Sequence, residues 1–255
     1  MTLPVRFIIF AAPRTGSNLL CGLLNGHPDI LCHHGLFNPG GVHLARDRAD
    51  LFPSLGDMAA RDADPAGFLS RVWAADGCVR AVGFKMNRGE CALAERLLLD
   101  DSSVVKILLR RQNRVRTFVS EEIARFTGAW ESYAGQVLPP APSVRIPPDA
   151  LMRHAELNAA YYARIETAMR ASGQEWLETD YEALAAPQEL TRILARLGVA
   201  PRGALPAICR KRAPADLRTN ILNFDELAQA LCGTPLADDL MRPDLPDLVR
   251  QPLAS

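Results

Sequence analysis

The chain alternates short apolar runs with longer stretches in which apolar residues recur every three or four positions. The short runs are rich in β-branched residues and predict buried strands, whereas the longer stretches predict helices with one buried face. The predicted strands are Val5–Phe10, Ile30–Cys32, Val79–Lys85 and Val104–Leu109. The predicted helices are Glu90–Leu99, Val115–Phe126, Leu151–Ala171 and Leu190–Leu197. Strands that alternate with helices indicate βαβ units, and therefore an α/β fold with a central, mainly parallel sheet.

The segments between these elements are distinguished by their composition. Gly40–Ala75 is rich in Asp, Arg, Pro and Gly and predicts loops and short helices over a sheet edge. Pro139–Pro148 holds five prolines in ten residues, which predicts an extended connector, either a flap over the site or a stiff link to the next helix. The tail from Pro235 carries further prolines and predicts an extended end. Because no repeat or clear boundary is present, residues 1–255 are interpreted as one domain.

The first predicted strand runs directly into the loop A-P-R-T-G-S-N, residues 12–18, and an apolar helical stripe begins at Leu19. Such a loop turns backbone N–H groups and the positive end of a helix dipole toward a bound anion. Arg14 adds a positive charge, and Thr15, Ser17 and Asn18 add side-chain donors. The loop therefore predicts a cradle for a nucleotide phosphate in a P-loop-like, three-layer α/β/α fold with helical elaborations. It lacks the Lys-Ser/Thr ending of loops that serve ATP hydrolysis.

The overall charge limits the partners. Lys plus Arg equals Asp plus Glu, at 29 each, so no net field attracts nucleic acid or an anionic membrane surface.

The six cysteines form neither a C-x-x-C motif nor a zinc-type pairing with histidine, which predicts a reducing compartment and no bound metal. Neither a convincing signal peptide nor the run of about 20 apolar residues needed for a membrane span is present. We therefore expect a soluble, cytoplasmic protein.

A second polar cluster follows the strand Val104–Leu109, which ends in Arg110-Arg111-Gln112-Asn113 rather than in an acidic ligand for Mg²⁺. The carboxyl ends of strands form the ligand crevice of an open α/β sheet. Two arginines there, with Ser120 about two helical turns further on, are suited to a second phosphate group. The alternative is that these arginines pair with acidic residues at positions 100, 101, 121 or 122.

The P-R-T-G-S-N loop together with the arginine–serine pair resembles the sulfotransferases that use 3′-phosphoadenosine 5′-phosphosulfate (PAPS). The likeness is strongest to bacterial carbohydrate sulfotransferases of the nodulation-factor and trehalose type. It extends in order over about residues 5 to 235, and the further matching pieces are H-P-D-I at 27–30, G-F-K at 83–85, D-Y-E-A-L at 180–184 and I-L-N-F-D-E-L at 221–227.

The resemblance implies roles for the matching positions. Residues 13–18 (Pro13, Arg14, Thr15, Gly16, Ser17 and Asn18) would hold the 5′-phosphosulfate, with Arg14 near the transferring group. Arg111, or its neighbour Arg110, would grip the 3′-phosphate together with Ser120. Arg210 would help to close the nucleotide site.

The chain departs from its relatives where they often read H-G-E-L-F and the glutamate is a candidate general base. Here the segment reads H-H-G-L-F at residues 33–37, so the glutamate is absent. Either a histidine has replaced it, the base lies elsewhere, or activity is lost. An imidazole suits proton acceptance at neutral pH, so His34 or His33 is the predicted base. Because neighbouring strand residues point to opposite faces, we expect only one of them in the site. Lys85 is either a charge near the sulfuryl group or a solvated strand end.

The sequence thus predicts transfer of a sulfuryl group from PAPS to a hydroxyl of a carbohydrate or other small molecule, with 3′-phosphoadenosine 5′-phosphate (PAP) as the product. Two alternatives stay open. The missing glutamate allows a non-catalytic protein that binds PAP or PAPS, and the loop allows a kinase-like enzyme that uses a nucleoside triphosphate. The acceptor and the oligomeric state, a homodimer included, are left undecided.

Overall fold

The computed structural model describes residues 3–45, 48–75, 78–130, 140–202, 204–205, 216–243 and 251–252. The strands are β1 Val5–Ala11, β2 Ile30–Gly35, β3 Ala81–Asn87, β4 Val105–Arg110, β5 Trp176–Asp180, β6 Ala204–Leu205 and β7 Gln251–Pro252. The helices are α1 Ser17–Asn25, α2 Phe52–Leu55, α3 Met58–Ala63, α4 Pro65–Ala74, α5 Ala92–Asp100, α6 Arg114–Thr127, α7 Pro148–Ala171, α8 Pro187–Arg196, α9 Phe224–Leu231 and α10 Pro235–Met241.

The main sheet of the described chain holds β1 to β5 in the order β2-β3-β1-β4-β5. All four neighbouring pairs run parallel. Because β1 lies at the centre, its residues Phe7–Ala11 are fully buried on both faces, which is why this strand reads as a continuous apolar run. The carboxyl ends of all five strands meet at one edge, and the loop that follows β1 lies in the middle of that edge.

Helices cover both faces of the sheet. Phe7 and Ile9 pack with α1 and α8 on one face, whereas Ile8 and Phe10 pack with α5, α7 and the short helix α4 on the other. A third apolar cluster joins α6, α9, α10 and the beginning of α7 beside the sheet. The predicted three-layer α/β/α architecture with helical elaborations is confirmed.

Most predicted elements are confirmed, and the differences include the following three. β2 extends to Gly35 and so includes both candidate histidines. The strand β5 was not predicted, because only Leu177 and Thr179 are buried in it while Glu178 is exposed, and such an edge strand has no apolar run. Residues 235–241 form helix α10, where an extended tail was expected, because a proline is well tolerated in the first turn of a helix.

The predicted connector and the region over the sheet edge agree with the structure. Within the predicted connector Pro139–Pro148, residues 140–147 form no helix, and Val144 bridges to Ile221 as an extended segment. Pro148 is the first residue of α7, and Pro139 lies outside the described residues. Gly40–Ala75 contains the short helices α2, α3 and α4, and α2 and α4 contribute residues to the apolar cluster on one face of the sheet. None of the helices in the described ranges combines the length and the apolar character that a bilayer crossing requires.

The hydroxyl of Tyr162 in α7 links the two central strands at the carboxyl edge. It donates to the Leu109 carbonyl over 2.7 Å and accepts from the Ala12 N–H over 2.8 Å. Burial raises the pKa of Tyr162 to about 12, so the hydroxyl stays protonated and keeps both bonds across the neutral range. Tyr162 therefore fixes the place where the loop leaves β1.

We expect Tyr162→Phe to lower the free energy of unfolding by about 1–3 kcal/mol, because it leaves a buried N–H and a buried carbonyl without their partner. Its neighbour Tyr161 is a matched control, since its hydroxyl is buried with no hydrogen-bond partner among the described residues. Tyr161→Phe should be neutral or stabilising. Urea unfolding of both variants checks this, and equal effects would contradict the linking role of Tyr162.

Candidate functional site

The loop after β1 forms a tight bend that ends on the N-terminus of α1. Arg14 and Gly16 both adopt left-handed backbone conformations, with φ of 64° and 91°. The Thr15 hydroxyl donates to the Ala12 carbonyl over 2.7 Å and closes the bend from inside. Gly16 occupies the N-cap position and offers no side-chain cap, so the first amide groups of α1 are left for an anion.

Position 16 requires glycine for two reasons: its left-handed backbone angles and the close approach of the Tyr181 ring. A Cβ added there would lie 2.5 Å from Cδ2 of Tyr181, which follows β5. The Tyr181 N–H donates to the Arg110 carbonyl over 2.8 Å, and the Arg111 guanidinium lies 4.5 Å from the centre of the Tyr181 ring. The Tyr181 ring thus packs beside both Gly16 and Arg111. The loop, β4 and β5 are fixed to one another by this arrangement.

Arg14 links the loop to helix α6. Its Nε donates to the Ser120 Oγ over 3.0 Å, and its Nη1 donates to the Trp130 carbonyl. The structure therefore brings together two residues that are 106 positions apart and that were singled out separately in the sequence. The two fixed hydrogen bonds orient the guanidinium at the mouth of the cradle.

The two neighbouring arginines at the end of β4 have different surroundings. Arg110 pairs with Glu166 and, over 2.7 Å, with Glu178, and it lies 4.4 Å from the centre of the Tyr162 ring. The charge of Arg110 is thus compensated by two glutamates of the fold. These differ from the partners considered in the sequence, which are the acidic residues at positions 100, 101, 121 and 122. Arg111 instead donates to the Arg14 carbonyl over 3.4 Å. A cavity of about 460 Å³ opens beside both arginines and extends along the ends of β4 and β5.

The two histidines of β2 point to different places, as expected. A β-bulge between His33 and Gly35 changes the register with β3. His34 donates from Nδ1 to the Asn18 Oδ1 over 3.3 Å, so it lies beside the loop. His33 is fully buried, and its Nδ1 accepts from the Ala45 N–H over 3.0 Å. Burial, assisted by the charge of Arg48, lowers the pKa of His33 to about 4. The geometry favours His34 over His33.

Lys85 lies near a carboxylate that sequence reasoning missed. Lys85 is buried opposite Ile9 of β1 and Gly35 of β2. Five residues later, the Glu90 Oε1 accepts from the Asn87 Nδ2 over 2.9 Å. Burial raises the pKa of Glu90, although the charge of Lys85 and the bonds from Asn87 act against the rise. In sequence, Glu90 resembles any acidic residue before a helix, and no periodicity distinguishes it.

The remaining predicted residues have simpler positions. His27 joins the Ala200 carbonyl over 3.0 Å and accepts from the Asp29 N–H over 3.1 Å, so it holds the turn after α1. Pro13, Ser17 and Asn18 lie in the loop and the first turn of α1. Arg210 lies outside the described residues. Within the described ranges, no three His, Cys, Asp or Glu side chains converge as metal ligands would.

We expect Gly16→Ala to destabilise the protein more than Gly173→Ala does. Both glycines have positive φ, at 91° and 65°, so each substitution carries the cost of about 1–2 kcal/mol for a left-handed alanine. A Cβ at Gly173 meets nothing within 4 Å, whereas one at Gly16 collides with Tyr181. The collision should add about 1–3 kcal/mol in chemical unfolding. Equal losses would show that the loop can shift away from the ring.

No protein-family model matches the chain. Two curated proteins do match, both named nodulation protein H. The one from Rhizobium tropici is 28% identical over 245 residues, which is 92% of this chain and 92% of the relative. The one from Rhizobium meliloti is 27% identical over 244 residues, which is 92% of this chain and 94% of the relative.

Solved structures of sulfotransferases also match. One is a mouse sulfotransferase complexed with PAP, which is 13% identical, covers 94% of this chain and 89% of its own, and has a TM-score of 0.47. The ordered motifs, the loop geometry and the match to nodulation protein H over nearly the whole chain agree with one another. The resemblance seen in the sequence is thereby confirmed, and the chain is similar to nodulation protein H over nearly its whole length.

Proposed function

We propose that this protein is a sulfotransferase, which transfers the sulfuryl group of PAPS to a hydroxyl of a carbohydrate or another small-molecule acceptor. The observation that carries the proposal is the convergence of Arg14, Ser120 and Arg111 on the uncapped N-terminus of α1. The side chains of Arg14 and Arg111 and a set of backbone donors thus meet at the loop of residues 12–18. Such a donor set fits a nucleotide that carries phosphate groups at two separate positions.

The residues proposed to bind PAPS form two groups, one for each of its phosphate positions. Residues 13–18 and the first turn of α1 would hold the 5′-phosphosulfate. Arg111 and Ser120 would hold the 3′-phosphate, and the compensated charge of Arg110 supports Arg111 in this role. Arg210 stays a prediction for the closing loop.

The chemistry that these residues favour is an in-line transfer helped by position and charge. The helix dipole of α1 and the Arg14 guanidinium stabilise the negative charge that develops on the departing phosphate and the sulfuryl oxygens. Lys85 adds a buried positive charge near the same edge of the sheet. Of the two histidines, His34 is the one proposed to lie beside PAPS, because its hydrogen bond with Asn18 holds it next to the loop.

The resemblance to carbohydrate sulfotransferases of the nodulation-factor type supports a carbohydrate as the acceptor. The cytoplasm is the proposed setting. It agrees with the five described cysteines, all of which are free thiols, as expected in a reducing compartment.

We expect Arg14→Ala to lower the rate of sulfuryl transfer from PAPS by about 10²–10³-fold, because it removes a charge aimed at the reacting group. Thermal unfolding should show that the variant folds. The matched control is Arg96→Ala, since Arg96 is exposed and pairs only with Asp100 over 3.6 Å among the described residues. Labelled PAPS and a panel of carbohydrates provide the assay.

Three results would contradict the proposal. Near-normal transfer by Arg14→Ala would remove the loop from the reaction. Tight PAP binding by the unaltered protein without transfer to any acceptor would indicate a binding protein. Preference for ATP with Mg²⁺ over PAP would indicate a kinase-like enzyme.

The neighbouring arginines provide a second test. We expect Arg111→Ala to weaken PAP binding by about 10–100-fold, in line with the loss of a hydrogen bond to a charged group. Arg110→Ala should leave PAP affinity nearly unchanged and lower thermal stability, because it breaks the pairs with Glu166 and Glu178. Calorimetric titration with PAP distinguishes the two. The reverse pattern would assign the 3′-phosphate to Arg110.

A further inference from the structure

Two buried acceptor atoms lie together at the carboxyl end of β3. Asn87 and Glu90 are joined by the 2.9 Å bond from Asn87 Nδ2 to Glu90 Oε1. Their other oxygens, Asn87 Oδ1 and Glu90 Oε2, are buried and have no hydrogen-bond partner among the described residues. Buried oxygens without a donor are costly, so a pair of them indicates a site for a ligand that brings its own donors.

This pair of oxygens lies next to the loop of residues 12–18, which is called the donor loop because it is proposed to hold PAPS. Asn87 lies opposite Ala11 in the register of β1 and β3, and the Arg88 N–H donates to the Ala11 carbonyl over 2.9 Å. The turn that carries Glu90 therefore lies directly beside the point where the donor loop begins. On its other side, a Cβ added at Gly35 would lie 3.3 Å from Glu90 Oε1, so the carboxylate also contacts the end of β2.

The end of β2 is where the relatives often carry their glutamate. In this chain the residue after Gly35 is Leu36, which is fully buried in the apolar core. Strand β2 therefore supplies no carboxylate to the site. Glu90 supplies a carboxylate to the same end of β2 from the turn that follows the neighbouring strand β3.

We propose, on the basis of the proposed function, that Glu90 is the general base that accepts the proton of the acceptor hydroxyl. Asn87 Oδ1 accepts from a second hydroxyl of the same molecule. Two neighbouring hydroxyls are a property of carbohydrates, so the pair also favours a polyhydroxylated acceptor. His34 then lies on the side of the site that is proposed to hold PAPS, where its Nδ1 donates to the Asn18 Oδ1.

The proposed step moves one proton to Glu90 and one sulfuryl group to the acceptor. The acceptor O–H proton moves to Glu90 Oε2 while the acceptor oxygen forms its bond to sulfur. The bond between sulfur and the bridging phosphate oxygen breaks, and PAP leaves with that electron pair. Glu90 then releases the proton to solvent, and the products are the sulfate ester and PAP.

Other charged and titratable groups face this carboxylate. Lys85 of β3 and His43 of the loop after β2 favour its ionised form, and Tyr161 of α7 also lies within electrostatic range. Burial outweighs these effects and holds the pKa of Glu90 above the ordinary glutamate value. A base of raised pKa is better matched to a hydroxyl proton near neutral pH.

The test is Glu90→Gln, which keeps the shape and the bond from Asn87. We expect kcat/KM for transfer from PAPS to trehalose, or to the best carbohydrate of a panel, to fall by about 10²–10⁴-fold. The acid limb of its pH profile should disappear, while PAP affinity stays unchanged.

Because the folded-state pKa of Glu90 lies above its unfolded value, ionisation of Glu90 costs stability as pH rises through the folded-state pKa. Glu90→Gln should therefore keep or raise the melting temperature at neutral pH.

The matched control is Glu95→Gln, because Glu95 is a buried carboxylate of α5 that pairs with Arg164 over 2.6 Å. It should lower stability and leave the pH profile unchanged. Full activity of Glu90→Gln with an intact acid limb, while Arg14→Ala is inactive, would overturn the role of Glu90 and leave the proposed function standing. A parallel loss of PAP affinity, melting temperature and rate with an unchanged pH profile would also overturn it. Absence of transfer by the unaltered protein would overturn both.

Discussion

The whole site depends on the fact that Gly16 carries no side chain. Its left-handed turn directs the N-terminus of α1 toward the carboxyl edge of the sheet. The absence of a Cβ lets the ring of Tyr181 pack against the loop. Because Tyr181 is fixed to β4 through the Arg110 carbonyl and contacts the Arg111 guanidinium, one close approach aligns the cradle with the second cationic group. A larger residue at position 16 would separate the two halves of the proposed PAPS site.

The sequence was sufficient for the core and for the position of the tight loop at residues 12–18, and the reason is physical. β1, β3 and β4 are buried on both faces, so their apolar character is continuous and visible along the chain. The loop of residues 12–18 combines a required glycine with donors in a short span, and short-range chemistry can be recognised without knowing the fold. β5 has one buried face at the sheet edge, and its short alternating pattern carried too little signal to be predicted.

Residues that depend on distant partners could not be assigned in this way. Arg110 and Arg111 are neighbours of the same type, and only the positions of Glu166 and Glu178 distinguish them. His33 and His34 likewise differ through their contacts with Ala45 and Asn18. Alternation along a strand predicts that such neighbours diverge, but it does not say which of the two faces the loop. That choice is made by the β-bulge at the end of β2, for which the sequence shows no clear sign.

Glu121, which is buried, and Glu90, which is half-buried, differ in how far the fold compensates their charge. Burial alone would raise the pKa of Glu121, but the hydrogen bond and charge of His154, together with Arg125, lower it below the ordinary value. His154 Nε2 lies 3.1 Å from Glu121 Oε2, so the charge of Glu121 is compensated and the pair holds α6 against α7. Around Glu90 the compensation is incomplete, because one oxygen has no donor among the described residues and burial dominates.

A fold optimised only for stability would have paired that oxygen or replaced it by an apolar group. Retaining it costs free energy at neutral pH, and a cost of this kind is typical of residues kept for chemistry. The cost is sustainable because the surrounding elements are rigid. Tyr162 fixes the end of β1, the Arg88 N–H fixes the turn after β3 to Ala11, and the core holds Leu36 on the other side. The rigidity that shapes the donor cradle therefore also holds an ionisable, incompletely paired carboxylate beside it.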